Sequence, residues 1–383
     1  MIVPKVLVVA GTRPELQKLS TVIPVLRAAG VPTTFLWTGQ HADPAMTTAF
    51  AEGLGWPEPD GRLDWDRVKG DPRYVRLWWH GACGDAPPAM VLVQGDTDSG
   101  VVGALALAGR DRLTRPWRGN TLLAHLEAGL RSWEPDLPEE RNRRSIDSCA
   151  DLLLCPSPLA AAHAKVDAKL GARIVVTGQT GLDALTAALD LAPSPPPVSP
   201  PYVLLTLHRA ALSDAPSDLL DVLVGVGRAM RQNGLPHALW PVHPRLQGER
   251  YAACFRYADE AGIVRVSPLS YREMAARLGG HDRPSIVISD SGGLVEEACY
   301  LGIPTVIVRP ATERWELVAR GDADLVRPDH AVEALPGVVE QLLRALPAHL
   351  RDRPELGPYE PGYRPTTLAV AEIVRALNDR SKP

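Results

Sequence analysis

Three acidic side chains follow short apolar runs in this sequence: Asp96 and Glu127 almost directly, and Glu139 at a greater distance. Carboxylates that converge on a partly desolvated site have raised pKa values and can exchange protons near neutral pH. Each one could instead cap a helix or lie on the surface, and Asp96 is the strongest cap candidate because aspartate is a preferred N-cap residue. Their recurrence at three corresponding positions favours proton-transfer chemistry.

The segment 286–302 has the pattern of a phosphate site. An apolar run is followed by Ser291-Gly292-Gly293, where a helix is predicted to begin, so backbone amides and the positive helix end could meet an anion. Glu297 lies about one turn into that helix and could reach the hydroxyls of a ribose. Glycines that serve only packing at a strand–helix turn are the alternative.

Basic side chains after other apolar runs suit the same class of ligand. Arg13 and Lys18 follow the first run, and such a pair suits a diphosphate, arginine as a bidentate fork and lysine as a point charge. His208 and His243, each close to an arginine, end two later runs, and Arg314 follows another. Solvated loops and structural histidines are the alternatives. We expect no metal site, because the histidines lack carboxylate or cysteine partners at ligand spacing.

The sequence lacks the standard signatures of several enzyme classes. It has no Gly-x-x-x-x-Gly-Lys-Ser/Thr loop, no His-Glu-x-x-His pair, no Gly-x-Ser-x-Gly elbow and no Gly-x-Gly-x-x-Gly after the first apolar run. ATP-dependent, zinc-dependent, hydrolase-elbow and simple dinucleotide chemistry are therefore disfavoured.

Short β-branched apolar runs alternate with segments of helical periodicity, which is typical of parallel sheets covered on both faces. The proline-rich segment 191–201 interrupts the alternation and is predicted to be a semi-rigid linker. We therefore predict an α/β fold with two Rossmann-like domains, 1–190 and 202–365, and a cleft between them; the C-terminal helix, about 366–380, is expected to pack back on the first domain. The predicted strands are 6–10, 34–38, 90–94, 122–126, 152–155, 174–177, 203–206, 238–241, 264–267, 286–289, 305–308 and 324–326.

The composition is that of an ordinary globular protein, with 45% hydrophobic and 22% charged residues in a chain of 383. Lys and Arg number 41 against 45 Asp and Glu, which is too balanced for the basic face that nucleic-acid binding requires. Five scattered cysteines without a Cys-x-x-Cys pair favour a reducing cytoplasm. Because no apolar stretch approaches about 20 residues, we expect no membrane partner.

A set of motifs in a fixed order makes the sequence resemble the non-hydrolysing UDP-N-acetylglucosamine 2-epimerases over roughly residues 5 to 376. The combination is highly specific although no single motif is. The resemblance implies a glycosyltransferase-B fold, a nucleotide held mainly by the C-terminal domain, a homodimer and no cofactor. The motifs are Gly11-Thr-Arg-Pro-Glu15 with Lys18, Gly39-Gln-His41, Gly95-Asp-Thr97, His125-Leu-Glu-Ala-Gly-Leu-Arg131, Pro138-Glu-Glu-Arg-Asn-Arg143, His208-Arg209, Asp290-Ser-Gly-Gly293 with Glu296-Glu297, and Thr312-Glu-Arg314.

The resemblance also implies roles. The family's reaction removes the C2 proton and expels UDP from C1 to give a 2-acetamidoglucal, then adds UDP back after reprotonation on the other face. Such chemistry needs two proton-transfer groups and a clamp for the leaving diphosphate. The implied acid/base groups are Asp96, Glu127 and Glu139 with Lys18 and His208 in support, and the nucleotide contacts are Arg13, His208, Ser291, Gly292, Gly293 and Glu297; His243 and Arg314 join them by position.

Departures from the family pattern cluster around base recognition and regulation. Ser270–Met274 stands where an aromatic residue usually contacts uracil, and Ala211-Leu212 and Trp315 replace other usual residues. The segment 42–44, Ala-Asp-Pro, replaces a polar stretch of an allosteric substrate site, which predicts no activation by a second substrate molecule.

Several functions remain compatible with the sequence. The leading hypothesis is an epimerase that acts on UDP-GlcNAc or a close relative. A hydrolysing variant that releases UDP and free N-acetylmannosamine is the first alternative, and glycosyl transfer is the second. A nucleotide-sugar binding protein without catalysis is the alternative of another class, disfavoured because Lys18, Asp96, Glu127 and Glu139 are all present.

Overall fold

The computed structural model describes residues 5–41, 54–107, 117, 121–191, 198–349 and 362–380. It divides into two compact units, Met1–Ala184 with Gly357–Pro383 and Leu185–Leu356. Most of the predicted linker (192–197) and the segment 42–44, on which the predicted loss of activation rests, lie outside the described residues. No helix in the described ranges is long and apolar enough to cross a membrane.

The first unit is a parallel sheet with helices on both faces. Its described strands are β1 (Val6–Ala10), β2 (Thr33–Trp37), β3 (Gly61–Arg62), β4 (Met90–Gln94), β5 (Leu122–Leu126), β6 (Leu152–Cys155) and β7 (Arg173–Val176). Its helices are α1 (Arg13–Leu19), α2 (Val22–Ala28), α3 (Trp65–Val68), α4 (Arg73–Cys83), α5 (Asp98–Leu105), α6 (Pro138–Cys149), α7 (Pro158–Asp167) and the start of α8 (Thr180–Asp190), which continues past the boundary between the units. The strand order is β3-β2-β1-β4-β5-β6-β7.

The second unit repeats this architecture. Its described strands are β8 (Tyr202–Thr206), β9 (His237–Pro241), β10 (Ile263–Val266), β11 (Ile286–Ser289), β12 (Thr305–Val308) and β13 (Ala323–Val326), and the order is β10-β9-β8-β11-β12-β13. Its helices are α9 (Ala210–Ser213), α10 (Pro216–Gln232), α11 (Ala252–Ala261), α12 (Tyr271–Gly279), α13 (Gly292–Tyr300), α14 (Trp315–Ala319) and α15 (Ala331–His349), with short 3-10 turns at Glu249–Tyr251 and Pro328–His330.

The central strands are buried on both faces because apolar side chains occupy consecutive positions. Every residue of β1, β4, β8 and β11 is buried. The C-terminal helix α16 (Pro365–Arg380) buries Ala369, Ile373 and Leu377, spaced every four residues, in the core that also contains the buried side chains of α2. Helix α16 therefore belongs to the first unit.

The predicted α/β class with two Rossmann-like units is confirmed, and each of the twelve predicted strands occurs within one residue of its predicted bounds. The additional strand β3 was not predicted. It has only two residues, which pair with Leu36 and Trp37 of β2, and so short a strand leaves no periodicity to detect.

The two sheets reverse their strand order at equivalent places. In the first unit the reversal lies between β1 and β4, and in the second it lies between β8 and β11. Successive connections leave such a point in opposite directions, and ligands of open parallel sheets bind there, beyond the carboxyl ends of the strands. The loops after these four strands and after β5 are therefore the places where the functional residues of each unit are expected.

Candidate functional site

Glu127, directly after β5, has the features expected of a functional carboxylate. Its backbone is left-handed, with φ of +67°, a conformation that costs a residue with a side chain on the order of 1–3 kcal/mol. The residue is 5% exposed. Lys18 Nζ donates to Glu127 Oε2 over 2.5 Å, and this ion pair joins α1 to the exit of β5.

Two amides also contact this carboxylate. Gln94 Nε2 donates to Oε2 of Glu127, and Gln179 Nε2 donates to Oε1 over 2.7 Å. Residue spacing alone suggested Lys18 as a diphosphate contact, whereas the motif resemblance implied that it supports the acid/base carboxylates; its ammonium group contacts Glu127. Neither glutamine was predicted as a site residue, since nothing in the sequence signals which polar residue at a strand end will face Glu127.

Asp96, directly after β4, pairs with helix α6. Its Oδ2 accepts from Arg143 Nη2, and its backbone oxygen accepts from Asn142 Nδ2 over 2.9 Å. The alternative role of Asp96 as a helix cap is not what the structure shows, because Thr97 is the N-cap of α5 and accepts from Gly100 N over 3.0 Å. With its side chain 28% exposed, Asp96 keeps access to solvent.

The two adjacent glutamates at the start of α6 have different environments. Glu139 is partly exposed, whereas Glu140 is buried and accepts from Ser132 N over 2.9 Å. Arg143 Nη1 lies 3.7 Å from Glu140 Oε2. Glu140 therefore fixes the loop before α6, and Glu139 is the glutamate whose side chain remains accessible.

A buried ion cluster supports the exits of β4 and β5. His125 Nε2 lies 2.8 Å from Gly95 O and Nδ1 lies 2.7 Å from Asp147 Oδ1. Arg131 Nη2 donates to Asp147 Oδ2 over 2.6 Å. Burial alone would raise the pKa of Asp147, but the charges and hydrogen bonds of His125 and Arg131 outweigh burial and hold that pKa below its usual value.

Glu15 ties the exits of β1 and β4 together. Its Oε2 accepts from the backbone N–H groups of Gly11 and Thr12 over 2.9 and 2.8 Å, and its Oε1 accepts from Thr97 Oγ1 over 2.7 Å. Burial raises the pKa of Glu15 to about 7, although these hydrogen bonds lower it. Beside it, Arg13 donates its backbone N–H to His41 Nδ1 over 3.3 Å. The exit of β1 is therefore organised mainly by Glu15.

In the second unit, Asp290 joins the exits of β8 and β11. Its Oδ2 accepts from the backbone N–H groups of His208 and Arg209, each over 2.7 Å, and the residue is 1% exposed. Burial raises the pKa of Asp290, and the two backbone hydrogen bonds oppose that rise. The His208 ring stacks on His243 at a centroid distance of 5.0 Å, so two predicted phosphate contacts lie side by side.

Helix α13 begins immediately after Ser291 with its first two residues glycine. A Cβ atom at Gly292 would lie 3.0 Å from Glu313 Oε1, whereas one at Gly293 would meet nothing within 4 Å. The space above Gly293 allows a ligand to approach the backbone closely, which is the geometry that a phosphate at a helix N-terminus needs.

The remaining predicted residues of this unit are buried and paired. Tyr271 Oη donates to Glu297 Oε1 over 2.8 Å, so the aromatic residue of the segment 270–274 is fixed against the predicted ribose contact. Arg314 Nε lies 2.8 Å from Glu296 Oε1, and that guanidinium is 4% exposed. Arg314 therefore holds helix α13 in place through its ion pair with Glu296.

Among the residues that the structure describes, no group of three or more His, Cys, Asp or Glu side chains is arranged to hold a metal ion.

The sequence profile of the family described as UDP-N-acetylglucosamine 2-epimerase matches residues 25–362. This chain belongs to that family. It is thereby placed among isomerases, and the resemblance inferred from its motifs is confirmed.

Relatives within the epimerase family extend over most of the chain. The UDP-2,3-diacetamido-2,3-dideoxy-D-glucuronate 2-epimerase of Pseudomonas aeruginosa is 33% identical over 329 residues, covering 84% of this chain and 88% of the relative. The UDP-N-acetylglucosamine 2-epimerase of Methanococcus maripaludis is 30% identical over 355 residues, covering 89% and 92%. Two relatives that are named for different substrates are thus about equally identical in sequence to this chain.

A solved structure matches the fold of this family member from end to end. The crystal structure of the Methanocaldococcus jannaschii UDP-GlcNAc 2-epimerase, in complex with UDP-GlcNAc and UDP, has a TM-score of 0.76 and 27% identity, covering 98% of this chain and 99% of that chain. The glycosyltransferase-B class predicted from the motifs agrees with this likeness.

Proposed function

We propose that this protein is a nucleotide-sugar 2-epimerase that interconverts UDP-GlcNAc and UDP-ManNAc, or a close analogue of that pair. The observation that carries the proposal is the carboxylate of Glu127, buried after β5, strained in its backbone and held by Lys18 and two amides. Strained, buried acidic groups at strand ends are typical of proton-transfer sites. Family membership supports the same reaction.

The proposed reaction proceeds by elimination and re-addition. Glu127 takes the proton from C2 while the bond between C1 and the UDP oxygen breaks, which leaves a 2-acetamidoglucal and UDP. A second carboxylate, Asp96 or Glu139, returns a proton to C2 on the other face, and UDP adds back at C1. Lys18 and His208 support proton transfer and the departing charge.

The second unit is proposed to hold the nucleotide. In the second unit the diphosphate would meet the N-terminus of α13 at Ser291, Gly292 and Gly293, together with His208 and His243, and Glu297 would bind the ribose. Backbone amides of this kind stabilise a leaving diphosphate without titrating. The motif resemblance is the support for Arg13 of the first unit as a further diphosphate contact. Arg314 would support α13 through Glu296. No cofactor is needed, because C2 loses one proton and gains another and UDP returns to C1, so the reaction involves no net oxidation or reduction.

The decisive experiment is proton NMR of candidate nucleotide sugars with the protein in D2O. The expected result is deuterium at C2 and appearance of the epimer. UDP-GlcNAc and UDP-2,3-diacetamido-2,3-dideoxy-D-glucuronate are tested side by side, because relatives are named as 2-epimerases of each. Free sugar and UDP in place of the epimer would identify the hydrolysing variant. Binding of UDP without any exchange at C2 would contradict the proposal and favour a non-catalytic binding protein.

We propose in addition that the protein works as a homodimer in the cytoplasm. The motif resemblance supports a dimer, and the five free thiols suit a reducing compartment. Light scattering after gel filtration is expected to give twice the chain mass of 41.3 kDa. A mass of one chain would contradict the dimer.

A further inference from the structure

Two buried glutamines share the carboxylate of Glu127 between them. Gln94 Nε2 donates to Oε2, and Gln179 Nε2 donates to Oε1 over 2.7 Å. Both glutamines are 2% exposed. A neutral amide does not titrate near neutral pH, so neither residue can itself exchange a proton with a substrate.

The fold brings the two amides to Glu127 from different places, one from the end of a strand and one from a loop. Gln94 is the last residue of β4 and pairs in register with Leu126, the residue before Glu127, and Gly95 N donates to Leu126 O over 3.0 Å. Gln179 lies in the loop between β7 and α8, and Leu182 N donates to its carbonyl oxygen over 3.0 Å. Both side chains thus start from backbone that is hydrogen-bonded in place.

Lys18 and the two glutamines all reach this carboxylate as donors. Lys18 Nζ and the two amide nitrogens can donate to a carboxylate but cannot accept from a protonated carboxyl group. Hydrogen bonds to the charged form favour that form and lower the pH at which it is lost. Because the amides contact both oxygens of Glu127, they also fix the plane of the carboxylate, which one lysine cannot do.

Other charged groups on the elements around Glu127 have partners of their own. Asp96 at the exit of β4 pairs with Arg143 of α6, and His125 of β5 pairs with Asp147 of α6. Glu15 of α1 accepts from the backbone of its own loop. Lys18 supplies a cationic contact to Glu127, and the two amides add neutral donors on both of its oxygens.

We propose that Gln94 and Gln179 are positioning residues that keep Glu127 ionised and oriented as the base for the C2 proton. This inference rests on the proposed function. Removal of either amide should protonate Glu127 at a higher pH and leave the ionised carboxylate less well oriented. Nucleotide binding should be nearly unaffected, since both amides donate to Glu127, which is assigned to proton transfer and not to the diphosphate.

The test is the pH dependence of C2 proton exchange in the variants Gln94→Met and Gln179→Met. A hydrogen bond to a charged group is worth enough to move a titration by about one pH unit. We expect the acidic limb of the kcat profile to move up by about one pH unit in each variant, with KM and UDP affinity nearly unchanged. The shape-conserving Gln179→Glu should move the limb further, because a second carboxylate repels the first.

The matched control is Gln232→Met. Gln232 Nε2 also donates to a carboxylate, Glu340 Oε2, over 3.4 Å on the exposed surface of the second unit. Its pH profile should equal that of the unmodified protein. Thermal melting and UDP titration report whether each variant is folded, and Gln179→Glu tests the proposal should the methionine variants fail to fold.

The outcomes separate this inference from the proposed function. Exchange at C2 in the unmodified protein with no shift of the acidic limb in folded variants would overturn the positioning role and leave the epimerase proposal standing. A loss confined to UDP affinity would also overturn it. No exchange in the unmodified protein would overturn both.

Discussion

Each unit has one buried carboxylate that accepts hydrogen bonds from the backbone of the loop after a central strand. Glu15 accepts two consecutive backbone N–H groups after β1 through a single oxygen, and Asp290 does the same for two consecutive N–H groups after β8. Each carboxylate also links the exits of the two strands at the switch point. Glu15 follows β1 and accepts from Thr97, which follows β4, whereas Asp290 itself follows β11 and accepts from the backbone after β8. Burial raises the pKa of both.

The two units differ in the further groups that lie at the ends of their central strands. The first unit adds Glu127, to which the side chains of Lys18, Gln94 and Gln179 donate. The second adds the open N-terminus of α13 at Gly293. A carboxylate that accepts from backbone N–H groups stabilises the loops of the fold. A carboxylate that accepts from side chains has a charge and an orientation that those side chains set, which suits proton transfer. The comparison predicts proton transfer in the first unit and ligand binding in the second.

The largest effect should come from the carboxylates assigned to proton transfer. Glu127→Gln and Asp96→Asn should each lower C2 exchange by about 10²–10⁴-fold, the usual contribution of a general acid or base, with UDP affinity nearly unchanged. Exchange by NMR and calorimetric titration with UDP measure the two quantities. Glu340→Gln, which alters a surface carboxylate of the second unit, is the control. Near-normal turnover in either site variant would remove that residue from the mechanism.

Asp290→Ala should destabilise the second unit by about 2 kcal/mol, because it leaves the partly buried backbone N–H groups of His208 and Arg209 without their acceptor and each costs about 1 kcal/mol. Asp290→Asn keeps one acceptor oxygen and should cost less than half as much. Urea denaturation followed by fluorescence measures the free energy of unfolding. Equal losses in the two variants would show that the negative charge, and not the acceptor oxygen, stabilises the loop.

Glu15 should make the first unit less stable as pH rises. The pKa of Glu15 is raised from 4.5 to about 7, so its favourable contribution is fully present below pH 4.5 and is lost as pH rises through about 7. The loss amounts to about 3 kcal/mol at 1.36 kcal/mol per pH unit. Glu15→Gln resembles the protonated acid and should abolish this dependence. Parallel unfolding curves of the two proteins from pH 4.5 to 8 would contradict the assignment.

Much of the fold follows from local sequence. Strands buried on both faces need apolar residues at consecutive positions, so β1, β4 and β11 are visible as runs. Their exits are visible too, because the chain turns polar or glycine-rich where it leaves the sheet. The candidate carboxylates Asp96 and Glu127 were found for that reason.

The partners of those carboxylates depend on strand register and loop paths that local sequence does not contain. Gln179 reaches Glu127 from 52 positions away in the chain. The difference between the two adjacent glutamates of α6 had a usable local signal. Ile146 marks the buried face of α6, and counting back by three residues gives Arg143 and then Glu140, so helical phase could have separated buried Glu140 from its accessible neighbour.

The smallest predicted effect tests the ligand-binding half of the comparison. Gly293→Ala adds a methyl group where the protein has nothing within 4 Å, so stability should stay equal or rise, since alanine favours a helix over glycine. UDP affinity should fall by about tenfold if a phosphate approaches that backbone, a change of about 1.4 kcal/mol. Gly337→Ala is the matched control, because Gly337 lies in helix α15 of the same unit and its added Cβ would also meet nothing within 4 Å. Both variants should melt at or above the temperature of the unmodified protein, and Gly293→Ala alone should lose affinity in calorimetric titration with UDP. Equal UDP affinity in the two variants would show that the open space at the start of α13 is not the place where the diphosphate binds.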